Sequence, residues 1–159
     1  MKEGLCIIST SPEETRQVGA ALAGALGPGD LIGLQGDLGA GKTVFAQGVA
    51  EGLDSPERAT SPSFVLIHIY RGRLPLVHVD LYRLSSVQAE ELGLEDYLVE
   101  AAGVVEWAER MEGLECDLWV EISFPDSEPD ERHLKIRARS KRGEMLLQAI
   151  TDKMSNKDG

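Results

Sequence analysis

The chain has 159 residues, of which 42% are hydrophobic and 27% charged, which suits one compact domain and is too short for two ordinary ones. Its formal net charge of -11 argues against autonomous nucleic-acid binding, because affinity for a phosphate backbone depends largely on Lys and Arg. No stretch is apolar enough for a membrane span or a signal peptide, so we expect a soluble, cytoplasmic protein with no membrane partner.

The N-terminal part of the chain predicts a helix, a strand and a second helix. After an apolar segment at 5–8, residues 11–14 have the composition of a capping box with proline at the first helical position, and the helix is expected to continue through Leu26 until Gly27. Leu31–Gln35 is predicted to be a buried strand, and a helix is predicted at about 43–53. The glycine-rich segment between them therefore has the strand, loop and helix order of a phosphate-binding loop.

The middle of the chain predicts a hairpin followed by short helices. Segments 63–70 and 74–82 are rich in strand formers and are separated by a turn at 71–73, so part of the sheet is expected to be antiparallel. Ser85 with Gln88 is predicted to cap a helix that Gly93 stops, and 94–101 are predicted to form one or two further turns. A short buried strand is predicted at 103–107.

The C-terminal part predicts two strands and a last helix. The strands are placed at 118–124 and Arg132–Ala138, with an acidic loop between them, and the basic residues from Arg132 onward are interpreted mainly as a solvated face. A helix is predicted at 141–150, followed by a flexible tail at 151–159. Cys6 and Cys116 have no metal-ligand spacing and are predicted to be buried thiols.

The segment Gly36-Asp37-Leu38-Gly39-Ala40-Gly41-Lys42-Thr43 matches the pattern G-x-x-x-x-G-K-[S/T] in full. Its glycines let successive N–H groups converge on phosphates at a helix N-terminus, where the helix dipole also favours negative charge. Residues 36–43 are therefore predicted to bind a nucleoside triphosphate as its magnesium complex. Lys42 is expected to face solvent and bridge the outer phosphates, and the Thr43 hydroxyl is expected to bind magnesium.

Two acids that end predicted strands are candidates for the metal and for catalysis. Asp80 is the candidate magnesium-anchoring acid, with a role in a strand-terminal turn as the alternative. Glu106 is the second acid. We expect one of the two acids to hold the metal and the other to orient water. His78 shares a strand face with Asp80 and lies near the site or is merely packed, with packing favoured. Trp107 covers the nucleotide or a hinge, or belongs to the core.

Hydroxyl side chains at Ser61 and Ser63 stand where mobile segments of nucleotide switches contact the terminal phosphate. Guanine selectivity is not expected, because the sequence lacks an N-K-x-D pattern on a strand. Two alternatives to a nucleoside-triphosphate hydrolase stay open. A small-molecule kinase would share the loop but needs a lid and an acceptor pocket, and a nucleotide-gated regulatory module would seldom hydrolyse.

Four blocks together resemble the bacterial TsaE (YjeE) family of small ATPases: GDLGAGKT at 36–43, SPSF at 61–64, HVDLYR at 78–83 and VEW at 105–107. The resemblance covers most of the chain, from Ser11 to about Ala138. It implies an α/β, P-loop NTPase-like three-layer domain with a central mixed β-sheet, which we place at residues 1–150. The implied catalytic residues are Lys42, Asp80 and Glu106, and the implied metal contacts are Thr43, Asp80 and Glu106. The implied nucleotide contacts are Asp37, Leu38, Gly39, Ala40, Gly41, Lys42, Thr43, Val44, Ser61, Ser63 and Trp107.

The same resemblance implies ATP and Mg²⁺ as cofactors and ATP hydrolysis, weak without partners, that resets a complex of TsaB- and TsaD-type proteins. In that family, the complex places threonylcarbamoyl on adenosine 37 of tRNAs that read ANN codons. Contact with tRNA is expected to be indirect, given the charge of this chain. The sequence departs from the family at Val44, where a second threonine is common, so no hydroxyl there can contact the inner phosphate. Ser63 replaces a threonine and keeps the hydroxyl.

Overall fold

A mixed seven-stranded sheet forms the centre of the computed structural model, which describes residues 4–37, 39–56 and 67–157. The strands are β1 (Leu5–Ser9), β2 (Leu31–Gln35), β3 (Ile67–Tyr70), β4 (Leu76–Asp80), β5 (Ala102–Glu106), β6 (Leu118–Ser123) and β7 (Arg132–Ala138). They lie in the order β1-β7-β6-β2-β5-β4-β3. The four central strands are parallel, while β1, β7 and β3 are antiparallel to their neighbours, which confirms the predicted mixed sheet.

Helices cover both faces of this sheet and complete the predicted three layers. They are α1 (Pro12–Ala23), α2 (Lys42–Gly52), α3 (Ser86–Glu90), α4 (Leu94–Tyr97) and α5 (Lys141–Lys157), with a 3₁₀ turn at Ala108–Arg110. One hydrophobic core lies between the sheet and α1, α2 and α5, and a second lies on the opposite face with α3 and α4. In the described ranges, no helix is long and apolar enough to cross a membrane.

The turn and cap chemistry confirms several local predictions. β3 and β4 form the antiparallel hairpin, although the first part of its predicted first strand lies outside the described residues. Ser85 and Gln88 form the complete reciprocal capping box of α3. At α1, Ser11 caps the helix as expected, but the carboxylate of Glu14 accepts from the backbone N–H of Thr10 instead of that of Ser11.

Three predicted features of the ends of the chain are wrong. α1 ends at Ala23 with Gly24 as its cap, and Leu26 is buried in the core from the segment that follows the helix. α5 continues to Lys157 instead of ending at residue 150, since Met154 packs against the core one turn beyond Ile150. Cys6 is exposed on edge strand β1, whereas Cys116 is buried as predicted.

The helix that carries the phosphate loop packs very closely against α1. A Cβ atom built on Gly48 of α2 would lie 2.0 Å from the backbone oxygen of Arg16, and one on Gly19 of α1 would lie 2.4 Å from that of Phe45. Real Cβ atoms essentially never approach a backbone atom so closely, so the two helices depend on glycine at their crossing.

Gly48→Ala is therefore expected to lower the free energy of unfolding by roughly 1–3 kcal/mol, the typical penalty for overpacking, although alanine is the better helix former. Chemical denaturation would measure the change. Gly24→Ala is the matched control, because the atom that its Cβ would meet is the flexible end of Lys153 at 3.2 Å. Equal stability of the two variants would contradict the close helix crossing.

Candidate functional site

The glycine-rich loop lies at the carboxyl end of β2 and leads directly into α2. Gly39 has a φ of +80° and Gly41 a φ of +111°, values in the left-handed region that glycine adopts without strain. α2 begins at Lys42, and its N-cap Gly41 has no side chain to accept from the N–H groups of the first turn. Those N–H groups and the positive end of the helix dipole are therefore available to an anion.

Lys42 is buried, with 5% of its surface exposed, so the expectation that it faces solvent is wrong. Its ammonium group donates to the carbonyl of Gly36 and, at 3.0 Å, to that of Asp37, and it lies 4.0 Å from the centre of the Trp107 ring. Burial lowers the pKa of Lys42, while nearby carboxylates act in the opposite direction. The loop carbonyls and the indole face thus keep the cation against the loop.

Three hydrogen-bonded side chains join the start of α2 to two central strands. Thr43 Oγ1 donates to Glu106, at 3.0 Å from Oε1 and 3.2 Å from Oε2. His78 Nε2 lies 2.6 Å from Glu106 Oε2, and both side chains are buried. Because β5 lies between β2 and β4, Glu106 stands opposite Leu34 on one side and Asp80 on the other. The sheet register therefore brings the loop and both predicted acids to one edge.

Asp80 ends β4 beside Glu106 and takes part in a local turn. Its Oδ1 accepts from the backbone N–H of Tyr82 at 2.9 Å. Burial raises the pKa of Asp80, the hydrogen bond from Tyr82 opposes this, and the neighbouring Glu106 raises the pKa further. The turn contact matches the alternative considered from the sequence, and the carboxylate also interacts electrostatically with Glu106 and Lys42.

The charges of the site favour a ligand that brings a divalent cation. The ammonium group of Lys42 interacts electrostatically with four carboxylates, those of Glu106, Glu109, Asp80 and Asp37. A bare triphosphate would be repelled by these acids. In the part of the chain that the structure describes, no group of three His, Cys, Asp or Glu side chains could hold a metal by itself. Magnesium commonly uses one or two carboxylates together with phosphate and water oxygens, so the donors Thr43, Asp80 and Glu106 fit this ion.

An aromatic and basic cluster borders the loop. Trp107 has a φ of +59°, a left-handed conformation that is costly for a residue with a side chain and that occurs preferentially at functional sites. Its ring lies 4.8 Å from that of Tyr82, and the guanidinium carbon of Arg110 lies 5.2 Å and 5.5 Å from the Tyr82 and Trp107 rings. Trp107 is half-buried, and it contacts both Lys42 of the loop and the second hydrophobic core.

Comparison with known proteins places this geometry in a family. Residues 9–134 match the family model described as Threonylcarbamoyl adenosine biosynthesis protein TsaE. The chain belongs to the TsaE family. The curated TsaE of Bacillus subtilis (strain 168), a tRNA threonylcarbamoyladenosine biosynthesis protein, is 38% identical over 152 residues, which cover 93% of this chain and 96% of the relative. The TsaE of Streptomyces coelicolor is 38% identical over 136 residues, which cover 80% of this chain and 92% of the relative.

A solved structure supports the same assignment at the level of the fold. The crystal structure of Bacillus subtilis YdiB superimposes with a TM-score of 0.79 at 36% identity, and the match covers 96% of this chain and 97% of that one. The TsaE family match includes every candidate site residue from Asp37 to Trp107. Of those candidates, Leu38, Ser61 and Ser63 lie outside the described residues. Val44 lies in the first turn of α2 and is half-buried.

Two residues of the site were not assigned to it from the sequence. His78 was interpreted mainly as a packing residue, yet it contacts the carboxylate of Glu106; the alternation that places it on the face of Asp80 was the available signal. Glu109 interacts electrostatically with Lys42, because the 3₁₀ turn after Trp107 brings its carboxylate back toward the loop. Burial raises the pKa of Glu109, and its sequence context carried no signal for this position.

Proposed function

We propose that this TsaE-family protein binds Mg-ATP at the loop 36–43 and hydrolyses it in support of a partner complex that forms threonylcarbamoyladenosine in tRNA. The observation that carries the proposal is the hydrogen bond from Thr43, the last residue of the phosphate-loop motif, to Glu106 at the end of the neighbouring strand. The hydroxyl group and the carboxylate lie together at a helix N-terminus. This arrangement suits a metal ion that is bound by phosphate oxygens and by protein oxygens.

Each side chain has a role that follows from its position. The loop N–H groups and Lys42 neutralise the phosphates, and Lys42 exchanges its loop carbonyls and the Trp107 face for a phosphate oxygen. Thr43, Asp80 and Glu106 provide oxygen ligands for magnesium, which would supply charge stabilisation at the terminal phosphate. His78 holds one oxygen of Glu106, so the other oxygen is oriented toward the loop side, where it can accept a proton from water.

The proposed partners are TsaB- and TsaD-type proteins, with tRNA contacted only through them. Support comes from the names of the curated relatives, which describe tRNA threonylcarbamoyladenosine biosynthesis, and from the charge of -11, which opposes direct contact with a phosphate backbone. A cytoplasmic location follows from this role. Hydrolysis by the isolated protein is expected to be weak and to be stimulated by the partners. Association with them is expected to depend on the nucleotide, because switch segments ordered by the terminal phosphate can present a different surface in each nucleotide state.

Phosphate release from Mg-ATP tests the proposal with the protein alone, with a TsaB–TsaD complex, and with a panel of small-molecule acceptors. Turnover stimulated by the complex, partner affinity that differs between ATP and ADP, and negligible tRNA binding by the isolated chain at physiological salt are the expected results. Tight tRNA binding by the chain alone contradicts the proposal, as does nucleotide-independent partner affinity without stimulation. A phosphorylated acceptor would instead identify a kinase.

Asp80→Asn is expected to keep much of the metal-free nucleotide affinity and to lose most of the gain in affinity that magnesium provides. The substitution replaces a charged oxygen ligand with a neutral one while its side-chain oxygen can still accept from Tyr82. Nucleotide titrations at increasing magnesium concentration measure this gain. Asp126→Asn, in the exposed loop after β6, is the matched control, and a magnesium dependence of Asp80→Asn equal to that of the control rejects Asp80 as a ligand.

A further inference from the structure

We infer that Arg132, the first residue of β7, is a positioning residue that fixes the phosphate loop in its binding conformation from a strand two positions away from β2 in the sheet. Its Nε donates to the carbonyl of Ala40 at 3.0 Å, and its Nη2 donates to the carbonyl of Gly39 at 3.3 Å. These two residues belong to the loop, whereas β7 is separated from β2 by β6. The inference rests on the proposed function, because it concerns the same nucleotide site.

Arg132 and Lys42 hold different parts of the loop backbone. Lys42 holds the carbonyls at the start of the loop, whereas Arg132 holds those of Gly39 and Ala40. Gly39 has a φ of +80°, and a Cβ built on it would meet nothing within 4 Å, so this part of the loop stands in open space. The N–H of Ala40 closes a turn on the carbonyl of Asp37 at 3.0 Å. A glycine-rich segment of this kind has large conformational entropy when free, so external hydrogen bonds to its carbonyls restrict it before a ligand arrives.

The direction of the hydrogen bond to the Ala40 carbonyl suits anion binding. In a trans peptide, the C=O and N–H groups point in opposite directions, so a carbonyl held by Arg132 turns the N–H of the same peptide away from it. The carbonyl of Ala40 shares its peptide with the N–H of Gly41, the residue that precedes α2. Arg132 thus directs this N–H to the opposite side of the loop, where N–H groups are required to converge on phosphate.

The guanidinium group is itself fixed on several sides. Its carbon lies 4.7 Å from the ring centre of Phe124, and Nη1 donates to the carbonyl of Glu131 at 3.1 Å. On β7, Arg132 has the same facing as Leu134 and Ile136, which lie in the core beneath α1 and α2, so the strand aims it toward the helix side of the sheet. A planar fork with several donors can hold two successive carbonyls, which the single ammonium of lysine cannot do with the same geometry.

The test compares Arg132→Met, Arg132→Lys and the control Lys135→Met. Lys135 is exposed on the opposite face of the same strand, so Lys135→Met removes one positive charge without touching the loop. Mg-ADP affinity, measured by calorimetry, is expected to fall about tenfold or more in Arg132→Met, to recover only in part in Arg132→Lys, and to stay within about twofold in Lys135→Met. Hydrogen exchange of the loop 36–41 without nucleotide should accelerate in Arg132→Met, while exchange in β2 and β6 is unchanged.

The outcomes separate positioning from general stability and from the nucleotide proposal. Unchanged loop exchange and unchanged Mg-ADP affinity in Arg132→Met overturn the role of Arg132. A uniform rise in exchange across the sheet also overturns it, because that result means a stability role. If Arg132→Met does not fold, Arg132→Lys carries the test through the same two measurements. If even the unmutated protein fails to bind Mg-ADP, the proposed function is lost, whereas faster loop exchange in the variant would still support the anchoring by Arg132.

Discussion

Lys42→Ala is expected to reduce Mg-ATP affinity by about 10- to 100-fold and hydrolysis by about 100-fold or more, because it removes the cation of the phosphate loop. Four carboxylates interact with this ammonium group. Without its positive charge, the repulsion between these carboxylates and the negative charge of the triphosphate is less well offset. Binding of a fluorescent ATP analogue and phosphate release at saturating Mg-ATP measure the two effects.

The buried position of Lys42 calls for a second variant. Alanine also removes a buried aliphatic stem and the contact with the Trp107 ring, so part of any loss of stability would come from packing. Lys42→Met keeps most of the stem and removes the ammonium group, with its charge and its hydrogen bonds to the carbonyls of Gly36 and Asp37. We expect the same loss of affinity in both variants, with a thermal midpoint for Lys42→Met close to that of the unmutated protein. Unchanged nucleotide binding and turnover in Lys42→Met would exclude the loop as the nucleotide site.

Local signals in the sequence were sufficient for the elements that hold the loop. The full phosphate-loop motif after a short apolar strand predicted β2, the loop and α2, and the Ser85–Gln88 pair predicted the cap of α3, because such features depend on residues a few positions apart. The alternation of β7 likewise predicted its bounds without error. These cases share a physical cause, since local hydrogen bonding and hydrophobic periodicity decide them.

Non-local pairing decided the features that the sequence left open. The apolar segment at 5–8 is a strand only because it pairs with β7 at the edge of the sheet, and the pairing leaves Cys6 exposed. His78 contacts Glu106 because β4 and β5 are neighbours, and no spacing along the chain encodes that order. Lys42 is buried because Trp107, a residue from another strand end, covers its ammonium group.

Glu106→Gln is expected to reduce hydrolysis by about 100-fold or more and Mg-ATP affinity by much less, because positioned general bases contribute roughly 10²–10⁴-fold to rates. The substitution keeps the size of the side chain and one oxygen that can accept from Thr43 or from His78. It removes the negative charge that would accept a proton from water or support magnesium. Single-turnover phosphate release and equilibrium binding of Mg-ATP separate the two effects.

A magnesium titration of the same variant decides between the two roles of Glu106. If Glu106 acts on water, Glu106→Gln lowers the maximal rate and leaves the magnesium concentration at half-maximal binding unchanged. If it holds the metal, as its contact with Thr43 favours, that concentration rises as well. Glu112→Gln is the control, since its side chain is exposed beyond the 3₁₀ turn. Equal losses of binding and hydrolysis, together with a lower thermal midpoint, would mean that Glu106 has a structural role. Loss of the buried hydrogen bond between Glu106 and His78 would then destabilise the protein as a whole.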